Sequence, residues 1–277
     1  MSQASQTPPL PIKAVAIDLD GTLLAPDLSI SDANRAAIEQ LHAQGVHIIL
    51  ASGRHYLSML PHARKLPQIE YMVSAQGGYA SDIENTHTIF ESHLHADDAT
   101  RALEFGLKNE LAIAIYTVSG IYTLSEGPWI DYYSDLAGIR PTLTTPEEVV
   151  KEAIFKVVYF DTDERLDELE KDPFLKESKL YTVRSLKNIF EQANPKTSKR
   201  SALEALVKHL GIDPEQLAAF GDANNDIPMF ELAGFSVAMD HAWPAAREAA
   251  TIVAPEGDPA ESFARGVAAM RKHFSKP

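Results

Sequence analysis

Cysteine is absent from all 277 residues, which removes disulfide bridges, thiolate metal sites and a cysteine nucleophile from consideration. Positive charge is scarce: 25 Lys and Arg stand against 39 Asp and Glu, for a formal net charge of −14. That balance argues against non-specific binding to nucleic acid or anionic membranes, and an anionic ligand would need local cationic help. No apolar run approaches the ~20 residues of a membrane-spanning helix. The opening MSQASQTPPLPIK lacks the apolar stretch of a secretory signal. A soluble, cytoplasmic protein with no nucleic-acid or membrane partner is the expectation, while the oligomeric state cannot be read.

What is present is a chain that is 45% hydrophobic and longer than the roughly 100–200 residues of one ordinary domain. Strand-like runs at 14–19, 46–50 and 71–74 alternate with helical patterns at 31–44 and 56–65. The rhythm returns with a helix at 199–210 and strands at 217–220, 235–238 and 251–253. Such alternation with short connections predicts a parallel sheet wrapped by helices. The middle differs, with strands at 111–117, 121–124 and 154–160, helices at 97–109 and 163–171, and a hairpin-like Ser119-Gly120. The reading is an α/β fold: a Rossmann-like parallel-sheet core with helices on both faces, over 1–82 and 191–277, carrying an inserted α+β cap domain at 83–190.

Open parallel sheets collect ligands outside the carboxyl ends of their strands. The segments there are Asp18-Leu19-Asp20-Gly21-Thr22, Ala51-Ser52-Gly53-Arg54, Ser74-Ala75-Gln76-Gly77-Gly78 and Gly221-Asp222-Ala223-Asn224-Asn225-Asp226. Asp18 and Asp20 are two apart, so on a strand they share a side and repel unless positive charge lies between them. The gathered carboxylates, amide and hydroxyl form an oxygen-donor set suited to a hard cation such as magnesium. Each piece also has an ordinary reading. The two acids suit a turn before Gly21, Ser52-Gly53-Arg54 a strand-to-helix turn, Lys199 a solvated helix start, and Asn225 and Asp226 a helix cap. A calcium loop fails, since neither Ser29 nor Ala233 supplies its twelfth-position carboxylate. His93 and His95 are explained more simply by a loop entering a helix than by zinc.

Taken together, DLDGTLL, the Ser52 element, Lys199 in SKRSALEAL and GDANND resemble, in type and order, the haloacid dehalogenase superfamily of phosphohydrolases. The closer resemblance is to its Cof-type branch, whose large α/β cap follows the second motif. Departures are Gln76-Gly77 for the usual Asn-Gly, Lys199-Arg200 for Lys-Gly, and Asp240-His241-Ala242 for Gly-Asn-Ala. The resemblance implies a magnesium-dependent phosphatase acting on small phosphorylated substrates, with sugar phosphates as the class. Asp18 would be the nucleophile, forming an aspartyl-phosphate, and Asp20 the general acid and base. Magnesium would be held by Asp18, the Asp20 carbonyl and Asp222. Ser52 and Lys199 would bind phosphoryl oxygens, Asn225 would reach the phosphate or a metal-bound water, and Thr22 and Gly53 would add contacts. Asp226 would orient Lys199 or a water from behind, and Arg54 would be structural. Trp129, Tyr132 and Tyr133, read as one loop, are candidate walls for a sugar. The alternatives are a phosphomutase using the same aspartyl-phosphate, which the few scattered cap arginines disfavour, and a non-catalytic phosphate-ligand binder.

Overall fold

The computed structural model describes residues 10–275; residues 1–9, on which most of the leader reading rests, lie outside them. The chain opens on β1 (Ala14–Ile17), α1 (Asp32–His42), β2 (His47–Ala51), α2 (Tyr56–Ala63), β3 (Ile69–Ser74), β4 (Tyr79–Asp82) and β5 (Thr88–Glu91). A second run holds α3 (Ala96–Lys108), β6 (Ala112–Thr117), β7 (Ile121–Thr123), α4 (Pro128–Ala137), β8 (Thr142–Leu143) and α5 (Pro146–Val149). It continues through β9 (Ile154–Phe160), α6 (Asp163–Leu169), α7 (Pro173–Glu177), β10 (Tyr181–Leu186) and β11 (Ile189–Ala193). The chain then runs through α8 (Lys199–Leu210), β12 (Leu217–Gly221), α9 (Ile227–Leu232), β13 (Phe235–Ala238), α10 (Pro244–Ala249), β14 (Ile252–Val253) and α11 (Ser262–Phe274).

The first sheet has eight strands in the order β14-β13-β12-β1-β2-β3-β4-β5. Its six strands from β14 to β3 are parallel, and β4 and β5 are antiparallel additions. All four residues of β1, Ala-Val-Ala-Ile, are buried, as a strand covered by helices on both faces requires. From β1 the chain steps outward one way through β2 and β3, and from β12 it steps the other way. The switch point therefore lies between β1 and β12, where an open α/β sheet leaves its crevice.

A second sheet of six strands, ordered β10-β11-β9-β6-β7-β8, belongs to the insertion. Its β6–β7 hairpin is antiparallel, as the Ser119-Gly120 turn predicts. The limits expected at 83 and 190 shift on both sides. Asp82 accepts hydrogen bonds from the Thr86 N–H (2.7 Å) and hydroxyl (2.6 Å), closing a hairpin that keeps β5 in the first sheet. β11 stays in the second sheet through Ala193. We therefore propose crossings at 92–95 and 194–197. The two crossings are tied together, with Asn194 Nδ2 donating to the His93 carbonyl (2.9 Å) and Thr197 Oγ1 to Ser92 Oγ (3.1 Å).

The cap seats on the core through an apolar cluster in which Ala75 and Tyr79 meet Tyr116, Tyr133 and Phe155. His55 adds a bond: its Nε2 donates to the Thr117 carbonyl at 2.8 Å, and its Nδ1 accepts the Leu57 N–H. Burial lowers this imidazole to about 4, so it is neutral near neutral pH and fixed in that tautomer. Among the described residues, no helix is long and apolar enough to cross a membrane.

Candidate active site

Ile17 pairs with Phe220 on β12, so Asp18 and Asp222 leave the sheet side by side at the switch point. The chain must turn at once. Gly21 does so at φ +79°, and a Cβ there would lie 2.5 Å from Asp222 Oδ2; both the backbone angle and the space demand glycine. Oxygens of Asp18, Asp222 and Asp226 all lie within 4.8 Å of one another. Lys199, in the first turn of α8, reaches across to them, its Nζ 2.5 Å from Asp18 Oδ1 and 2.5 Å from Asp226 Oδ1. The second oxygen of Asp226 accepts the N–H groups of Asp222 (2.9 Å) and Ala223 (3.0 Å). Asp226 thus fixes both the ammonium and the turn that carries Asp222.

Burial pushes the Asp18 carboxyl well above its ordinary range; Lys199 opposes the shift, and Asp226 and Asp222 add to it. Burial, then Asp226, raises Asp222 to about 6. Burial alone would lower Lys199, but Asp18 and Asp226 outweigh it and hold the ammonium above its usual value. One ammonium among three carboxylates leaves two formal negative charges unbalanced. The donors are hard oxygens, so the cluster fits a divalent cation of the magnesium type.

Asp20 stands apart from that cluster. Arg54 grips it in a fork, Nε to Oδ2 and Nη2 to Oδ1, both at 2.7 Å. The guanidinium also reaches the Leu136 carbonyl of the cap at 3.5 Å. Arg54, expected to be structural, therefore sets the direction of the Asp20 carboxylate, and the signal for it was its place two residues after Ser52 at a strand end.

The cleft between the domains has a volume of about 410 Å³, and Asp18, Asp20, Ser52, Gly53, Asp222 and Asn225 lie on its core side. Ser52 Oγ accepts the Arg54 N–H (3.2 Å). Asn225 Nδ2 donates to Gln76 Oε1 (3.0 Å), while its own Oδ1 is buried without a partner among the described residues. Thr22 is fully buried, its hydroxyl unpartnered among the described residues and absent from the cleft wall; the short turn at Gly21 carries it beneath the site. Gln76 and Gly77 continue a left-handed turn, in which Gly77 (φ +93°) presses against α8, a Cβ there falling 2.0 Å from the Ser198 carbonyl. This close approach couples the end of β3 to Lys199.

The aromatic wall needs correction. Trp129, Tyr132 and Tyr133 lie on α4 rather than in a loop, and only Tyr133 lines the cleft. Neighbouring helical residues point about 100° apart, and Trp129 and Tyr132 instead pack edge to face on each other, with centroids 6.0 Å apart. The cap wall the sequence reading missed is Tyr116, Lys156 and Glu191. Its legible sign was a lysine inside IFKVVYF, where every residue is buried, since an isolated buried lysine is costly unless paired.

The model of the haloacid dehalogenase-like hydrolases matches residues 15–264. The chain belongs to this family. It is 30% identical to phosphatase YwpJ of Bacillus subtilis over 95% of this chain and 100% of that protein. With the HMP-PP phosphatase of Cronobacter sakazakii it shares 29% identity over 83% of this chain and 84% of the relative. A solved haloacid dehalogenase-like hydrolase of Bacteroides thetaiotaomicron has the same fold, with a TM-score of 0.84 at 24% identity, covering 94% of this chain and 99% of that one. The chain is thus an enzyme of the phosphatase type, with its second sheet inserted as in the Cof-type branch.

Proposed function

We propose that this hydrolase cleaves small phosphate monoesters, sugar phosphates among them, with magnesium and through an aspartyl-phosphate on Asp18. The observation that carries the reading is the pairing of Asp18 with Lys199 beside Asp222, with Asp20 held separately by Arg54. Asp18 Oδ2, the oxygen not bonded to Lys199, attacks phosphorus as the bond to the leaving oxygen breaks, and Asp20 gives that oxygen its proton. Asp20 then takes a proton from water, whose oxygen attacks phosphorus, releasing phosphate and restoring Asp18. Asp18, the Asp20 carbonyl and Asp222 would hold the magnesium, which supplies positive charge between carboxylate and phosphate dianion. Ser52, Lys199 and Asn225 orient phosphoryl oxygens. Asp226 positions Lys199, and Gly53 lends backbone. The buried hydroxyl of Thr22 supports a part in the turn rather than on the phosphate. The segment between the crossings acts as a lid.

Phosphate release from p-nitrophenyl phosphate, with magnesium and after chelation, tests this reading. Activity should depend on the metal and fall at least about 10⁴-fold in Asp18→Asn. Chelation-resistant turnover, or a folded Asp18→Asn variant with wild-type activity, would overturn it.

A further inference from the structure

Among the described residues lining the cleft, six are charged: Asp18, Asp20, Asp222, Arg54, Lys156 and Glu191. Only two of these are cations, and each already has its own carboxylate. Arg54 is forked onto Asp20. Lys156 Nζ donates to Glu191 Oε2 at 3.0 Å and to the Gly53 carbonyl of the core at 2.9 Å, and sits 4.6 Å from the centre of the Tyr116 ring. Among the described residues, no unpaired cation lines this cleft.

Hydrogen-bonding capacity does remain there. Glu191 Oε1 has no hydrogen-bond partner among the described residues, and the side chain keeps 10% of its surface exposed on the cleft wall. Tyr133 donates its hydroxyl hydrogen to Tyr116 (2.9 Å), which leaves the Tyr116 hydroxyl hydrogen to be given elsewhere. An open acceptor and an open donor on one wall match an alcohol, which both donates and accepts. A second phosphate would instead find Lys156 already neutralised by Glu191 and no free cation on the cleft wall to answer its charge.

We propose that Glu191, Lys156 and Tyr116 form the leaving-group subsite, selecting monophosphates whose departing group carries neutral hydroxyls, a sugar or polyol, and rejecting those with a second phosphate. This rests on the phosphatase reading above. Lys156 is the positioning member: through Gly53 it holds the wall at a fixed place relative to the Ser52 loop. A buried ion pair is weak evidence for stability, so its presence on the wall of a cleft points to recognition.

The test compares kcat/KM for glucose 6-phosphate, fructose 1,6-bisphosphate and p-nitrophenyl phosphate in wild type, Glu191→Gln and the apolar double variant Lys156→Met/Glu191→Leu. In wild type the monophosphate should be preferred to the bisphosphate. Glu191→Gln should lower the ratio of glucose 6-phosphate to aryl phosphate about 10–100-fold, mainly through KM. Because it frees the Lys156 charge, it should also raise the bisphosphate relative to the monophosphate. The double variant, which buries no unpaired charge, should lose the sugar preference without gaining the bisphosphate, and serves if Glu191→Gln does not fold. A wild-type preference for the bisphosphate, or ratios unchanged in a folded variant, would overturn the subsite. A pair that only braces the domains would lower all three substrates together, which also overturns it. Absence of aryl phosphatase activity in wild type would instead count against the proposed function itself.

Discussion

Among the described residues two lysines are sealed from solvent, one in each domain, and the number of carboxylates around them differs. Lys199 meets Asp18 and Asp226, with Asp222 alongside; Lys156 meets Glu191 alone. Burial first, and then the excess of negative charge in the core cluster, raises Asp18 and Asp222, and that excess demands a cation. The cap pair is balanced and demands nothing, so its remaining oxygen is available for a neutral ligand. A buried charge excess prepares chemistry, whereas a buried balance prepares recognition.

The strongest way to break that contrast is to remove each lysine in turn. Lys199→Met should cost at least about 10³-fold in turnover of an aryl phosphate and about 3–5 kcal/mol of stability by urea unfolding, part of it restored by magnesium. At the cap, Lys156→Met alone should cost a similar stability, and adding Glu191→Leu should recover most of it. If the double cap variant unfolds as readily as the single one, the pair is a structural brace and the contrast fails.

A smaller effect tests Asp20 and its holder. With an aryl substrate, Asp20→Asn should slow breakdown of the phosphoenzyme by about 10²–10⁴-fold and its formation less, since a good leaving group needs little protonation. Phosphate should then be trapped on Asp18 and visible by mass spectrometry. Arg54→Lys keeps the charge but loses the fork, and should slow the same step about tenfold. Wild-type kinetics for Arg54→Lys would return that arginine to a purely structural place.

The pH dependence should follow the core. The Asp222 carboxyl is raised from 3.8 to about 6, so in metal-free protein its contribution to stability is present below about 3.8 and is lost as pH rises through about 6. Bound cation reverses this preference. Apparent magnesium affinity, from activity titrations, should therefore fall about tenfold per pH unit below about 6. An affinity flat across that range would mean Asp222 is not a ligand.

The smallest effect belongs to the cap aromatics outside the cleft. Trp129→Ala and Tyr132→Ala should leave the ratio of sugar to aryl phosphate kcat/KM within about twofold, since neither side chain lines the cleft. A shift beyond tenfold would extend the reading wall onto the outer face of α4.

The core cluster was legible because its residues sit at strand ends, where a strand-then-turn pattern fixes direction over a few residues. Asp18, Asp222 and Lys199 needed only the sheet order to meet. The cap wall was harder, because which residue faces the cleft depends on how a whole second sheet docks. Tyr133 and its neighbour Tyr132 differ only by a helical rotation that the aromatic run Trp-Ile-Asp-Tyr-Tyr does not reveal. Thr22 was misplaced for a related reason: the turn at Gly21 fixes the depth of the following side chain as well as its direction. The limit expected near 83 differs from the crossing proposed at 92–95 because the Asp82–Thr86 turn lies inside a hairpin of the first sheet, where a charged, poorly apolar stretch reads as a linker.

One pairing described above also orders events in time. β1 bonds to β12, Ala14 beside Leu217, so the central strand of the core must wait for about two hundred further residues before its neighbour exists. All of the strands of the second sheet, from Ala112 to Ala193, are made in the interval. As the chain grows, the cap can fold while the half-site bearing Asp18 is still open, and Asp18 meets Lys199 only after the second sheet has been made.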